Sequence, residues 1–165
     1  MRNALAVLLL LALSACGFQL RGTAALPFDT LYMPPVNAPG VALDLKRSVQ
    51  SGTHTTVVDD PKKAEAILEF TQEVREKHIL SIAATGRVRE FQLRYRVAFR
   101  VHDGKGGEFL PVNIIQLTRD VAFNDSAVLA KESEELLLYR DMQSDMVQQI
   151  MRRLESAQRP KPAVQ

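Results

Sequence analysis

The stretch that decides the fold is Phe91-Gln92-Leu93-Arg94-Tyr95-Arg96-Val97-Ala98-Phe99-Arg100-Val101-His102. Phe91, Leu93, Tyr95, Val97, Phe99 and Val101 alternate with Gln92, Arg94, Arg96, Ala98, Arg100 and His102. Successive side chains of a strand point to opposite faces, so this period of two sets one face on a core and the other toward solvent. Asp103-Gly104-Lys105-Gly106-Gly107 follows, a hairpin loop longer than the two-residue form. The chain then returns as a strand from Glu108 to about Phe123, with Ile115, Leu117, Val121 and Phe123 on one face. Pro111 cannot donate to a ladder, which predicts a bulge or an edge position there.

Upstream, Ala66, Leu68, Phe70 and Val74 alternate with Glu69, Thr71, Glu73 and Arg75. This predicts a half-buried strand from Ala64 to Lys77 with those four apolar residues on one face. Ser81 to Gly86 reads as a loop of small and polar residues. Val41, Leu45 and Val49 recur at helical spacing before Gly52 and predict a helix over Val41–Ser51. Thr30–Met33 is a β-like run stopped by Pro34-Pro35 and is expected near a sheet edge. Thr55–Val58 has the composition of a further short strand.

Downstream, Asn124-Asp125-Ser126 offers helix N-cap oxygens. Ala127–Leu154 reads as a long amphipathic helix with Leu129, Leu136, Tyr139, Gln143, Met146, Ile150 and Leu154 on its core side. Glu132, Glu134 and Glu135 come early and Arg152-Arg153 late, as the helix dipole favours. Residues 158–165, with Pro160 and Pro162, read as a disordered tail. Residues 27–157 thus form a single α+β domain. The expected architecture is a small, largely antiparallel four-stranded sheet with two helices packed on one face, a two-layer sandwich.

The N-terminus reads as an address. Arg2 precedes the apolar run Ala4–Leu13, too short for the roughly 20 residues that span a bilayer. Leu13-Ser14-Ala15-Cys16 closes it. A positive start, a short apolar segment and small residues before a cysteine predict a lipoprotein signal peptide over residues 1–15, with lipidation of Cys16. Residues 16–26 become a lipidated tether, and more than one acyl chain gives stable anchoring. Gly17, where an aspartate would favour inner-membrane retention, points to the outer membrane.

Composition limits what the chain can do. Its 165 residues are 46% apolar and 24% charged, as in ordinary globular domains. A net charge of +2 is too small to point to nucleic acid. Cys16 is the only cysteine, so an acylated chain has no thiol left for a disulfide. His54, His78 and His102 fall 24 residues apart, without metal-ligand spacing. Gly104, Gly106 and Gly107 join two strands rather than a strand and a helix, which makes them a turn and not a phosphate loop. No nucleophile elbow or catalytic carboxylate pair stands out. The expectation is no enzyme, no metal and no cofactor.

Charge placement is more informative. Arg94, Arg96 and Arg100 share one strand face, with Arg87 and Arg89 just before it. Two readings are open for this face. One is a solvated surface paired with Glu69, Glu73 and Glu76 of the neighbouring strand. The other is contact with an anionic amphiphile or the acidic wall of a partner. Lys131, in the first turns of the long helix, could bind phosphate or pair at i, i+4 with Glu135.

Cys16-Gly17-Phe18-Gln19-Leu20-Arg21-Gly22 resembles the mature start of the LptE family of lipopolysaccharide-assembly lipoproteins, also called rare lipoprotein B. Arg119-Asp120-Val121-Ala122-Phe123-Asn124, followed by Val128-Leu129-Ala130-Lys131-Glu132, is similar to that family's junction into its long helix. Tyr139-Arg140-Asp141-Met142, Asp145, Gln149-Ile150 and Arg153-Leu154 continue the match, and the order of elements agrees. The resemblance implies an outer-membrane, lipid-anchored protein that plugs the LptD β-barrel, supports its assembly and assists insertion of lipopolysaccharide. It also implies lipid contact through basic residues near a strand-connecting loop and the helix start. Lys131 matches the helix position. Ser81–Gly86 aligns with the loop, but Ala84 stands where some members carry arginine, so Arg87 or Arg89 would substitute. Lys131, Arg87, Arg89, Arg94 and Arg96 are therefore the lipopolysaccharide-binding candidates. The alternative is a periplasmic accessory or ligand-binding lipoprotein of an envelope transporter.

Overall fold

The Phe91–His102 alternation folds as the larger part of a 15-residue strand, β4 (Val88–His102), in a computed structural model that describes residues 24–35, 40–124 and 128–160. Leu93, Tyr95, Val97, Phe99 and Val101 are fully buried. β4 lies antiparallel between β3 (Ala66–Ile82) and β5 (Glu108–Ala122). Beyond β3 come β1 (Thr30–Tyr32) and β2 (Thr56–Val58), giving the order β2-β1-β3-β4-β5.

The sheet therefore has five strands, not four. β2 pairs parallel with β1, and β1 pairs parallel with β3, so the antiparallel part is β3-β4-β5. Tyr32 precedes the prolines by only two positions, yet β1 is an interior strand rather than an edge. Pro34 and Pro35 stop β1 along its length, and its lateral pairing needs neither of their nitrogens. Pro111 behaves as expected. It falls in the register irregularity between the Val101–Leu110 and Phe99–Asn113 pairs, on the outer strand β5.

One residue of β3 reorganises half the molecule. Leu68 and Phe70 sit opposite Val101 and Phe99, on the core side. The register then shifts between Phe70 and Gln72, leaving Thr71 as an extra residue. Such a bulge inverts the phase of every later side chain. Beyond it Glu73, Arg75 and Lys77 lie opposite Val97, Tyr95 and Leu93, and Val74 lies opposite Arg96 on the other face. The expected one-face alternation thus ends at Phe70. β3 also continues past Lys77 to Ile82. The expected Ser81–Gly86 loop contracts to Ala84-Thr85-Gly86, closed by the Ala83 N–H donating to the Arg87 carbonyl at 2.7 Å. Gly86 has φ +79°, the left-handed residue that ends a three-residue hairpin loop.

Both helices cover the core side of the sheet. α1 (Val41–Gly52) buries Val41, Ala42, Leu45 and Val49, the spacing read from sequence. α2 (Val128–Glu155) buries Met142, Met146, Val147, Ile150 and Leu154. These join Leu45, Leu68, Leu93, Val97 and Phe99 in one core, and burial of each such side chain stabilises by about 1.5–3 kcal/mol. The buried residues of α2 all lie in its C-terminal half. Leu129 and Leu136, expected on the core side, are 79% and 64% exposed. The sheet beneath that part of the helix is the polar stretch after the bulge, so Glu135 and Tyr139 turn inward to Lys77 and Glu76 and the leucines turn out.

The chain end departs from expectation too. The Gln158 N–H donates to the Phe109 carbonyl at 3.1 Å, and Arg159 Nε donates to the Pro27 carbonyl at 2.8 Å. Residues 158–160, read as tail, therefore lie against β5 and the Pro27 segment. Ala24, read as tether, forms a parallel bridge with Thr53. The signal peptide, Cys16, Asp125, Ser126 and residues 161–165 fall outside the described residues. Among the described residues no helix is long and apolar enough to cross a membrane.

Candidate functional site

The phase inversion at Thr71 creates a polar clasp between sheet and helices. The Tyr95 hydroxyl donates to Glu73 Oε1 at 2.5 Å and accepts from Arg75 Nη2 at 3.0 Å. Arg75 also donates to Gln143 Oε1 of α2 at 2.6 Å, and Gln143 Nε2 donates to Asp44 Oδ2 of α1 at 2.5 Å. Lys77 pairs with Glu135 at 2.6 Å, and the Tyr139 hydroxyl donates to the Glu76 carbonyl at 2.9 Å. Burial, reinforced by Glu73, pushes the Tyr95 hydroxyl far above the ordinary tyrosine range, so it remains a donor. Burial likewise raises Tyr139. The N-terminal half of α2 is thus held to the sheet mainly by hydrogen bonds and ion pairs. Tyr95→Phe is expected to cost about 1–3 kcal/mol, because it strips Glu73 and Arg75 of a common partner. Urea unfolding checks this, and an unchanged midpoint would remove Tyr95 from the clasp.

The structure divides the basic candidates into two groups. Arg87 and Arg89 stand at the β3–β4 turn, both exposed. The Phe123 N–H donates to the Arg89 carbonyl at 2.7 Å, which brings the end of β5 to the same end of the sheet. α2 begins five residues later, so Lys131 in its first turn belongs to this end as well. Lys131 Nζ pairs with Glu134 at 2.7 Å, not with Glu135, which Lys77 takes. Around these cations stand Ile79, Leu80, Ile82, Val128 and Leu129, between 42% and 79% exposed. Sequence reasoning passed over that apolar set. Its signal was the run Ile79-Leu80-Ser81-Ile82, which breaks alternation beside a basic pair.

Arg94 and Arg96 lie elsewhere, in the middle of the sheet face that the helices leave uncovered. Arg100, on that face, pairs with Glu69 at 2.6 Å. Among the described residues this is the one pairing of the expected arginine–glutamate set that forms there. Glu73 points to the other face, and Glu76, opposite Arg94, binds His78 at 3.0 Å. Arg94 Nε donates to Gln92 Oε1 at 2.9 Å. Arg96 Nε is buried and has no hydrogen-bond partner among the described residues. A buried donor left unmade costs about 1–3 kcal/mol.

Among the described residues no group of three or more His, Cys, Asp or Glu could hold a metal ion. A recess of about 190 Å³ is lined by Met33, Pro34, Pro35, Ala42, Leu43 and Lys46. It is smaller than the roughly 300–1,000 Å³ of small-molecule sites.

Known proteins resemble this chain in sequence and fold. The LptE family model, described as lipopolysaccharide-assembly, matches residues 28–154. The LPS-assembly lipoprotein LptE of Yersinia enterocolitica is 29% identical over 161 residues, covering 93% of this chain and 77% of the relative. The solution NMR structure of an uncharacterized lipoprotein B from Nitrosomonas europaea is 42% identical with a TM-score of 0.73, covering 85% of this chain and 91% of that one. The crystal structure of rare lipoprotein B from Shewanella oneidensis, 23% identical with a TM-score of 0.66, shares the fold over 77% of this chain and 94% of its own. The family match runs from just before β1 to the last turn of α2, and the chain belongs to the LptE family of lipopolysaccharide-assembly lipoproteins.

Proposed function

We propose that this chain is an outer-membrane lipoprotein, acylated at Cys16, that sits as a non-enzymatic plug in an LptD-like β-barrel. There it supports barrel assembly and helps deliver lipopolysaccharide to the outer leaflet. The observation that carries the lipid-contact part is that Arg87 and Arg89, with Lys131 in the first turn of α2, stand at the end of the fold where Ile79, Leu80 and Ile82 are exposed. An anionic amphiphile presents phosphates, which Arg and Lys bind through charge-assisted hydrogen bonds, next to acyl chains that exposed aliphatic side chains can shield. The plug part draws on the sheet face of Gln92, Arg94, Gln116 and Thr118, whose polarity suits a water-lined lumen. A lipid anchor would hold the plug near its barrel at high effective concentration. Affinity purification of the full-length tagged protein from detergent-solubilised outer membranes is expected to recover a large β-barrel protein in near-equal amount. Recovery of an inner-membrane transporter instead would support the accessory-lipoprotein reading and sink this one.

A further inference from the structure

We infer that Arg94 and Arg96 form a carboxylate-binding site for an acidic side chain of the barrel wall, separate from the lipid-contacting end. This rests on the plug reading above and assigns to it a face, two residues and a partner chemistry. Three observations lead here. First, the Arg and Lys side chains of the two flanking strands are paired: Arg75 and Lys77 of β3 by the clasp, and Arg119 of β5 by Asp145 at 2.7 Å. Among the described residues Arg94 has only the neutral Gln92 amide, and Arg96 Nε has no acceptor although it is shielded from water. An unmet donor makes the present Arg96 rotamer costly, so a side-chain shift that turns the guanidinium toward an incoming acceptor is favoured, and a planar guanidinium matches a carboxylate bidentately.

Second, the two arginines share a face at i, i+2. Opposite them on the flanking strands lie Val74 and Glu76 on one side, and Gln116 and Thr118 on the other. Ile114, beside Gln116 on the same face, is 51% exposed. Arginines and an aliphatic contact, with the neutral Gln116 and Thr118 on the β5 side, are the composition of a protein–protein contact centre.

Third, the surrounding charge argues against lipid. Glu69, Glu76, Glu90 and Asp120 stand on this same face. They offset its three guanidiniums, so the face as a whole does not draw in a polyphosphorylated lipid from a distance. A single carboxylate held in place by a complementary wall needs only the short-range pairing. Arg96 also lies about 20 Å or more along the strand from Arg89, at roughly 3.3 Å per residue. One lipid headgroup does not engage both groups.

The test uses full-length lipidated protein co-expressed with its barrel. R94Q/R96M is expected to lower barrel recovery about tenfold or more, as truncating one side of a buried charged pair does. The same variant without the barrel should unfold at or above the wild-type urea concentration, since Met fills the space without an unmet donor. R87E/R89E/K131E should leave barrel recovery unchanged. A photo-crosslinker at Gln116 should label the barrel in the wild-type background. Wild-type recovery of the barrel together with equal recovery by R94Q/R96M and no crosslink from Gln116 would overturn this assignment and leave the plug reading standing. If R94Q/R96M keeps the barrel and loses lipopolysaccharide capture, the site is a lipid site and the assignment also fails. No barrel with the wild-type protein would overturn both.

Discussion

Deleting Thr71 is expected to lower stability by about 3 kcal/mol or more, the largest effect of any single-residue change outside the core. The deletion removes the extra residue that lets β3 change phase between Phe70 and Gln72. With uninterrupted pairing, Val74 would turn toward the helices, and Glu73, Arg75 and Lys77 would turn to the open face. Tyr95 would keep its buried hydroxyl and lose both Glu73 and Arg75. A buried polar group stripped of partners costs about 1–3 kcal/mol, and each hydrogen bond to a charged group contributes about 1.5–3 kcal/mol. Gln143 would lose Arg75, and α2 would lose its hold on β3 above Met142. Thr71→Val, which keeps the residue count, should stay within about 1 kcal/mol of wild type, since surface substitutions seldom cost more. Urea unfolding of both variants reads the difference. A deletion as stable as the substitution would mean that the strand forms its bulge elsewhere and that Thr71 does not organise the clasp.

That one residue also marks where the sequence stops being legible. β4 could be read because its burial is one-sided along its whole length, so the alternation is written directly in Leu93, Tyr95, Val97, Phe99 and Val101. α1 could be read for the same reason from Val41, Leu45 and Val49. In β3 the apolar residues up to Phe70 and the isolated Val74 fit a single face, and nothing about Thr71 announces an insertion. Two later misreadings descend from it. Glu73 was expected to face the arginines and instead serves Tyr95. Leu129 and Leu136 were expected inward, but inward there means toward Arg75 and Lys77, so Glu135 and Tyr139 take those positions. β2 is a different case: three residues carry too little periodicity to count, and its place is settled by parallel pairing with β1. The basic residues were legible as a group and not as two. Proximity in sequence hides the distance that an extended strand puts between Arg87 and Arg96.

Charge reversal of the first group, R87E/R89E/K131E, is expected to reduce lipopolysaccharide capture more than tenfold while the fold persists. Arg87 and Arg89 are exposed, and among the described residues the Lys131 side chain is bound within its own helix. None of them contributes to the core or the clasp, so unfolding should shift by less than about 1 kcal/mol. Each charge-assisted hydrogen bond to phosphate is worth about 1.5–3 kcal/mol, and 1.4 kcal/mol is a factor of ten, so loss of even one contact is measurable and reversal adds repulsion. Raising salt should weaken wild-type capture and affect the variant little, because the interaction is between exposed charges. A second substitution set separates headgroup from acyl contact. Replacing Ile79, Leu80 and Ile82 with Ser should weaken capture of the intact lipid, since their exposed aliphatic surface would no longer shield acyl chains. It should leave capture of a deacylated phosphorylated fragment unchanged. Equal loss for both ligands would mean that the serines disturb the turn itself. Capture unchanged in R87E/R89E/K131E would move the lipid site away from this end of the fold.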